Sequence, residues 1–150
     1  MSKEVTRLFD FLSYQSKHHS LKKSLVSKTS GSWVATSTDE FVEKANAISR
    51  GLLKLGIKRD DKIAVISSTN RTEWNVLDMG ILQIGAQNVP IYPTISKDDY
   101  KYIFNHSEVK LCFLSDEELY GKANAVLEAS PNLKEIYSFD QIDGCKNWQE

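Results

Sequence analysis

The sequence predicts an α/β fold: a mainly parallel sheet with flanking helices, plus an N-terminal β-hairpin set apart from that sheet. Three observations predict it. Four apolar runs, "KIAVIS" at 62–67, "QNVPIY" at 87–92, "VKLCFL" at 109–114 and "KEIYSF" at 134–139, read as strands, the first buried on both faces. Helical segments of about 10–15 residues alternate with them, the rhythm of parallel βαβ units with right-handed crossovers. Ahead of these, "LVSKTSGSWVAT" holds two short runs around a glycine, as a hairpin does. The 150 residues are enough for one domain with its own core, and 41% apolar with 26% charged residues is ordinary for a soluble chain.

Taken in order, residues 4–17 place Val5, Leu8, Phe9, Phe11 and Leu12 at roughly helical spacing, so an amphipathic leading helix within 1–20 is expected, its aromatics in the core. The hairpin occupies 25–36: Leu25 to Lys28, a turn containing Gly31, then Trp33 to Thr36. The βαβ units occupy 38–140. Ser37 with Glu40 is a capping-box pattern that opens a helix, with Phe41, Ala45, Ile48, Leu52 and Leu55 as its buried stripe and Gly56 placed for a left-handed cap. A second helix over 72–85 turns Trp74, Leu77, Ile81 and Ile84 inward, and Ser96 with Asp99 starts a third. A fourth is expected over 117–129. Pro90 cannot donate to a sheet ladder, which places its strand at an edge or on a bulge. After 140 no closing element is legible, as though the fold were cut off partway.

Several motifs carry no chemistry on inspection. "TSGS" (29–32) has one glycine where a phosphate-cradling loop needs several, so a hairpin turn explains it. "GLLKLGIK" (51–58) spaces two glycines like a P-loop but has Ile57 where lysine is required. No G-x-G-x-x-G occurs. His18, His19 and His106 lie at no metal-ligand spacing from Cys112 or Cys145, and His106 reads as a helix C-terminal packing residue. Asp60-Asp61 and Asp98-Asp99 read as helix-start or turn carboxylates.

Nineteen basic and twenty acidic side chains give a net charge of -1. That balance selects neither nucleic acid nor an anionic membrane, and no basic stripe interleaved with aromatics is visible. Cys112 lies inside an apolar run and reads as a free, buried hydrophobe. The start "MSKEVTRLFDFLSYQ" has no basic-then-apolar signal region, and no stretch approaches about 20 apolar residues, so a cytoplasmic protein is expected. From the residues alone the chain is a parallel α/β domain without a complete active site, and a stand-alone flavodoxin-like binding module stays open.

"SWVATSTDEF", "GLLKLGIKRDDKIAVISSTNRTEW", "DMGILQIGAQNVPIYPT" and "YKYIFNHSEVKLCFLSD" follow one another from about Trp33 to Asp116. In this order they resemble the start of long-chain fatty-acyl-CoA synthetases, AMP-forming ligases of the adenylate-forming superfamily. The resemblance implies the N-terminal part of an AMP-binding large domain. It also implies a two-step reaction: fatty acid attacks ATP to give an acyl-adenylate and pyrophosphate, with Mg²⁺ balancing phosphate charge, and the CoA thiol then displaces AMP. Fatty acid, ATP and CoA are the implied partners. Relatives are often homodimers and can sit peripherally at membranes. Another acyl- or aryl-adenylate-forming ligase is the alternative within the superfamily. The family's ATP loop, ribose acid and catalytic lysine have no counterpart in these residues, so no catalytic residue carries over, and the chain alone is expected to be inactive with no ATP, Mg²⁺ or CoA bound.

Two loops are candidates for the cleft edge. Ser67 to Arg71 and Tyr92 to Lys97 both follow strands read as parallel, so both emerge at the carboxyl edge where ligands bind in open α/β sheets. Arg71, Thr94 and Lys97 are the donors suited to an anion there, and in some relatives the second loop approaches CoA. Turn-shaping by Pro93, capping by Ser96 and pairing of Arg71 with a neighbouring acid explain the same residues without a ligand.

Overall fold

The computed structural model describes residues 5–29 and 31–150; Glu4, expected in the first helix, and Ser30, in the hairpin turn, lie outside the described residues. In chain order the elements are α1 (Asp10–His18), β1 (Leu25–Thr29), β2 (Ser32–Thr36), α2 (Thr38–Lys54), β3 (Lys62–Ile66), α3 (Thr72–Gln83), β4 (Gln87–Ile91), α4 (Lys97–Ser107), β5 (Leu111–Leu114), α5 (Glu117–Asn124), β6 (Glu135–Ser138) and β7 (Lys146–Asn147). They form two compact units. One holds the residues up to Lys58 together with Arg71–Gly85, the other Arg59–Asn70 together with Ala86–Glu150.

In the first unit β1 and β2 pair antiparallel as a separate two-stranded sheet, with Lys28 opposite Trp33. Helix α2 opens with the expected capping box: Ser37 Oγ accepts from Glu40 N–H, and Glu40 Oε2 accepts from Ser37 N–H at 2.7 Å. Phe41, Ala45 and Leu52 are buried. Leu55 is not, at 50% exposed. Gly56 turns left-handed at φ 81°, Ile57 N–H returns to Leu52 O at 3.0 Å, and Ile57 takes the inward place that Leu55 was expected to fill. Helix α3 buries Leu77 and Ile81 as expected, and adds Val76 and Gly80; Trp74 and Ile84 are only half-buried. Ser49 Oγ lies 2.9 Å from Gly80 O, joining the two helices at their closest approach.

Helix α1 departs most from expectation. It begins at Asp10, because the Asp10 carboxylate accepts from the Thr6 and Arg7 N–H groups and holds residues 6–9 in a turn ahead of the helix. Only Leu12 is buried, while Leu8 and Phe11 are exposed. The expectation that this segment's aromatics lie in the core is therefore wrong for Phe11.

The second unit is a five-stranded sheet in the order β4-β3-β5-β6-β7, every neighbouring pair parallel. The alternation of the strands sends Ala64, Ile66, Cys112, Leu114 and Ile136 to one face, where Tyr100 and Phe104 of α4 and Leu119 and Ala123 of α5 pack on them. The other face carries Ile63, Val65, Phe113 and Tyr137, all buried, with the rings of the last two stacked 5.0 Å apart. Pro90 sits on β4 opposite Val65, and β4 is the edge strand, as its missing N–H requires. Ser96 and Asp99 form the second capping box. Cys112 and Cys145 are both free thiols.

One expectation fails in this unit, and one short strand escaped the sequence reading. Helix α5 stops at Asn124 rather than 129, the chain continuing through turns closed by Leu127 N–H to Asn124 O and Ser130 N–H to Leu127 O. After 140 the chain adds one short strand to the sheet. β7 pairs with β6, the Asn147 amide donates to Phe139 O and Asp140 O, and Trp148 meets Phe139 edge-on at 5.5 Å. A two-residue strand has no periodicity for a sequence reading to detect.

Candidate functional site

Parallel strands end at one edge, so the segments after β3, β4, β5 and β6 gather there. Within the order β4-β3-β5-β6, the chain leaves β3 toward one side of the sheet and leaves its neighbour β5 toward the other. That divergence is a topological switch point, the place where open α/β sheets leave a crevice for ligands.

Here the protein's own side chains join across the switch point. Ser68 N–H donates to Ser115 Oγ at 3.0 Å, and the Ser68 and Ser115 hydroxyls both donate to Asp116 Oδ2 at 2.6 Å. Asp116 Oδ1 accepts from Leu119 N–H at 3.2 Å and so caps α5. Burial alone would raise the Asp116 carboxyl, but the hydrogen bonds from Ser115, Ser68 and the α5 backbone outweigh it and hold the group below the usual carboxylate range.

The loop after β4 is anchored through a backbone oxygen. Pro93 O accepts from the Tyr100 hydroxyl and from Lys122 Nζ, each at 3.2 Å. Burial pushes the Tyr100 hydroxyl up to about 12, so it remains a donor at any ordinary pH. Lys122 also pairs with Glu118 at 3.0 Å. Thr94 and Lys97 are exposed beyond this anchor, Lys97 at the first position of α4. Neither side chain has a hydrogen bond or ion pair among the described residues.

Arg71 belongs to the first unit and stands at the N-cap of α3. Its guanidinium reaches Glu73 at 2.6 Å. Burial would raise Glu73, and the hydrogen bond and charge of Arg71 bring it below its ordinary value instead. The first N–H of α3 is satisfied from a distance: Thr72 N–H donates to Ser27 Oγ of β1 at 2.9 Å. Of the three sequence candidates, Thr94 and Lys97 thus share one loop with free side chains, whereas Arg71 is engaged by an acid. His106 is exposed and stacked on Tyr102 at 5.5 Å, as a helix-end packing residue.

The sequence reading missed Asp116 as the hub of the edge and Lys122 as the cation beside Pro93. Asp116 had a signal, since an Asp after a strand and before a helix is an N-cap pattern. Lys122 had none, because it reaches a loop 29 residues earlier in the chain. Among the described residues no cluster of three or more His, Cys, Asp or Glu could hold a metal ion.

Residues 12–149 match the sequence model of the family described as AMP-binding enzyme. The chain belongs to that family. Among similar members, a long-chain-fatty-acid–CoA ligase of Mycobacterium bovis is 32% identical over 114 residues, which cover 76% of this chain and 18% of the ligase. The chain therefore spans less than a fifth of that relative's length. Among solved structures, one described as a putative long-chain-fatty-acid CoA ligase from Rhodopseudomonas palustris superposes with a TM-score of 0.82 at 17% identity, covering 96% of this chain and 35% of the other. An anthranilate CoA ligase in complex with anthranoyl-AMP gives a TM-score of 0.79 at 17% identity over 96% of this chain and 26% of its own. These superpositions show that the chain shares the fold of the matching part of those two structures.

Proposed function

We propose that the chain is the N-terminal part of the AMP-binding large domain of a long-chain fatty-acid–CoA ligase, and that residues 1–150 serve as scaffold. The observation that carries this reading is the 32% identity to the mycobacterial ligase across 76% of the chain. In the whole enzyme the fatty-acid carboxylate displaces pyrophosphate from ATP to give an acyl-adenylate, and the CoA thiol then displaces AMP. The described residues do not fit ATP with Mg²⁺: they offer no acidic metal cluster, and the polar groups at the switch point are spent on one another. No step of the first half-reaction is assigned to them.

CoA fits better. Thr94 and Lys97 stand exposed at the start of α4, whose first turn already carries the Asp98 and Asp99 carboxylates, so the attraction for an anion there comes from the Lys97 charge. In this reading Lys97, with Thr94 beside it, meets a CoA phosphate, while Arg71, paired with Glu73 in the first unit, is a separate candidate. The enzyme works in the cytoplasm as a homodimer, peripherally at membranes where its acyl substrate partitions. No helix among the described residues is long and apolar enough to cross a membrane.

The test uses the full-length ligase with Lys97→Ala, Thr94→Ala and Arg71→Ala made separately. Loss of one charged contact at Lys97 raises KM for CoA by about tenfold while palmitate-dependent pyrophosphate release is unchanged. Arg71→Ala has the smaller effect. An unaltered KM for CoA in all three variants ends the CoA assignment, and no acyl-CoA formation by the unaltered full-length enzyme ends the ligase reading.

A further inference from the structure

We propose that Lys122 of α5 is a positioning residue for the CoA step: it holds the β4–α4 loop through the Pro93 carbonyl, so that Thr94 and Lys97 are presented at a fixed place. This role rests on the CoA reading above and adds to it what sets the loop's geometry.

The loop, residues 92–96, is short and is held on both sides of Thr94. On the far side Ser96 and Asp99 form the capping box that opens α4, with Ser96 Oγ donating to Asp99 Oδ2 at 2.6 Å and accepting from Asp99 N–H at 3.2 Å. On the near side Pro93 O takes two donors, the Tyr100 hydroxyl and Lys122 Nζ, each at 3.2 Å. A carbonyl oxygen has two lone pairs, so this one is fully used. Between the two anchors Ile95 packs against the buried core, while Thr94 is exposed.

The two donors to Pro93 O fix different things. Tyr100 belongs to α4, the helix that the loop itself enters, so its bond is local. Lys122 belongs to α5 and reaches back 29 residues. Helix α5 is fixed at its start by Asp116, which caps it and accepts from Ser68 and Ser115 in the segments after β3 and β5. Lys122 extends that network to the segment after β4, so three of the segments at the carboxyl edge of the sheet hold one another.

Satisfying Pro93 O does not require a lysine. Pro93 is only half-buried and Tyr100 already supplies one donor, so water could take the second lone pair. The ion pair with Glu118 does not require the Pro93 bond either. It is an i,i+4 pair with Glu118 79% exposed, which contributes little and asks nothing of the loop. Fixing a long lysine side chain costs entropy. What the Pro93 bond adds is location, since it fastens the loop that carries Thr94 to a second helix. A phosphate contact gains from that, because binding is tighter when the donors are in place before the ligand arrives.

The experiment uses the full-length ligase. Lys122→Met keeps the apolar stem and removes the donor. KM for CoA is expected to rise about fivefold, the scale of one hydrogen bond, with palmitate-dependent pyrophosphate release unchanged. Glu118→Gln breaks the ion pair alone and is expected to keep the parental KM. Amide hydrogen exchange across residues 92–96 is expected to quicken in Lys122→Met and not in Glu118→Gln. In a Lys97→Ala background, Lys122→Met is expected to raise KM less than about twofold further, because a residue that acts through the loop has little left to place. An undiminished rise there would make Lys122 itself a CoA contact and overturn the positioning role. Unchanged exchange across the loop also overturns it. So does a parental KM in Lys122→Met while Lys97→Ala or Thr94→Ala raises it, and that result leaves the CoA reading standing. A parental KM in both Lys97→Ala and Thr94→Ala removes the loop from CoA binding, and this role falls with it.

Discussion

Asp116 accepts from Ser68, Ser115 and the first turn of α5, so one carboxylate fastens the segments after two neighbouring strands and caps a helix. In the unfolded chain the group titrates near its ordinary 3.8, and in the native state lower. Between those two values the unfolded state binds the extra proton, so stability rises with pH there. The contribution is complete above 3.8 and is lost as pH falls through the native value. Asp116→Asn keeps a capping oxygen but removes the charge. It is expected to cost about 1 kcal/mol near neutral pH, at the low end for charge-assisted bonds because the site is only half-buried. Urea denaturation near neutral pH and at about pH 3 checks the sign: the gap between parent and variant should narrow in acid. A gap that widens in acid would show that burial, not hydrogen bonding, governs this group.

At the scale of elements, α2 and α3 meet where Gly80 lies against Ile48. A Cβ on Gly80 would stand 2.7 Å from the Ile48 Cβ and 3.1 Å from Ala45 O, atoms that cannot swing aside. Gly51 on α2 has nothing within 4 Å. One substitution therefore has opposite signs at two sites. Gly51→Ala should stabilise by about 0.5–1 kcal/mol through helix propensity. Gly80→Ala should destabilise by about 1–2 kcal/mol, overpacking outweighing the same propensity gain. Thermal denaturation of the two variants beside the parent decides it, and a Gly80→Ala variant as stable as Gly51→Ala would mean the helices sit further apart. Elements with local signals were legible in the sequence. Both capping boxes, the hairpin around Gly31 and the edge position of Pro90 follow from chemistry within a few residues. The start of α1 was not, because a side chain at Asp10 captures the N–H groups ahead of it, and hydrophobic spacing carries no record of that competition.

For the whole molecule, the parallel sheet was legible because each strand's apolar run is short and bounded, whereas the site was legible only as an edge. Sequence order places Ser67–Arg71 and Tyr92–Lys97 after strands, but the pairing of β3 with β5 brings Ser68 to Asp116 across 48 residues, which no local pattern encodes. That pairing bears on activity. A phosphate cradle needs several backbone N–H groups turned toward one point, usually with glycines to let them turn. Residues 67–70, 92–96 and 115–116 contain no glycine, and the Ser68 N–H is already given to Ser115. The 150-residue chain is therefore expected to give no heat on titration with ATP and Mg²⁺ and to release no pyrophosphate with palmitate above a buffer control. Both assays are needed, since ATP could bind without reacting. Binding alone would place a nucleotide site within these residues and contradict the assignment of the switch point to internal hydrogen bonds. Turnover would go further, because it requires stabilising charge that builds on the departing pyrophosphate. Lys97, at the first position of α4, is an exposed cation at this edge, so turnover lost in Lys97→Ala would move that lysine from CoA binding to the adenylation step.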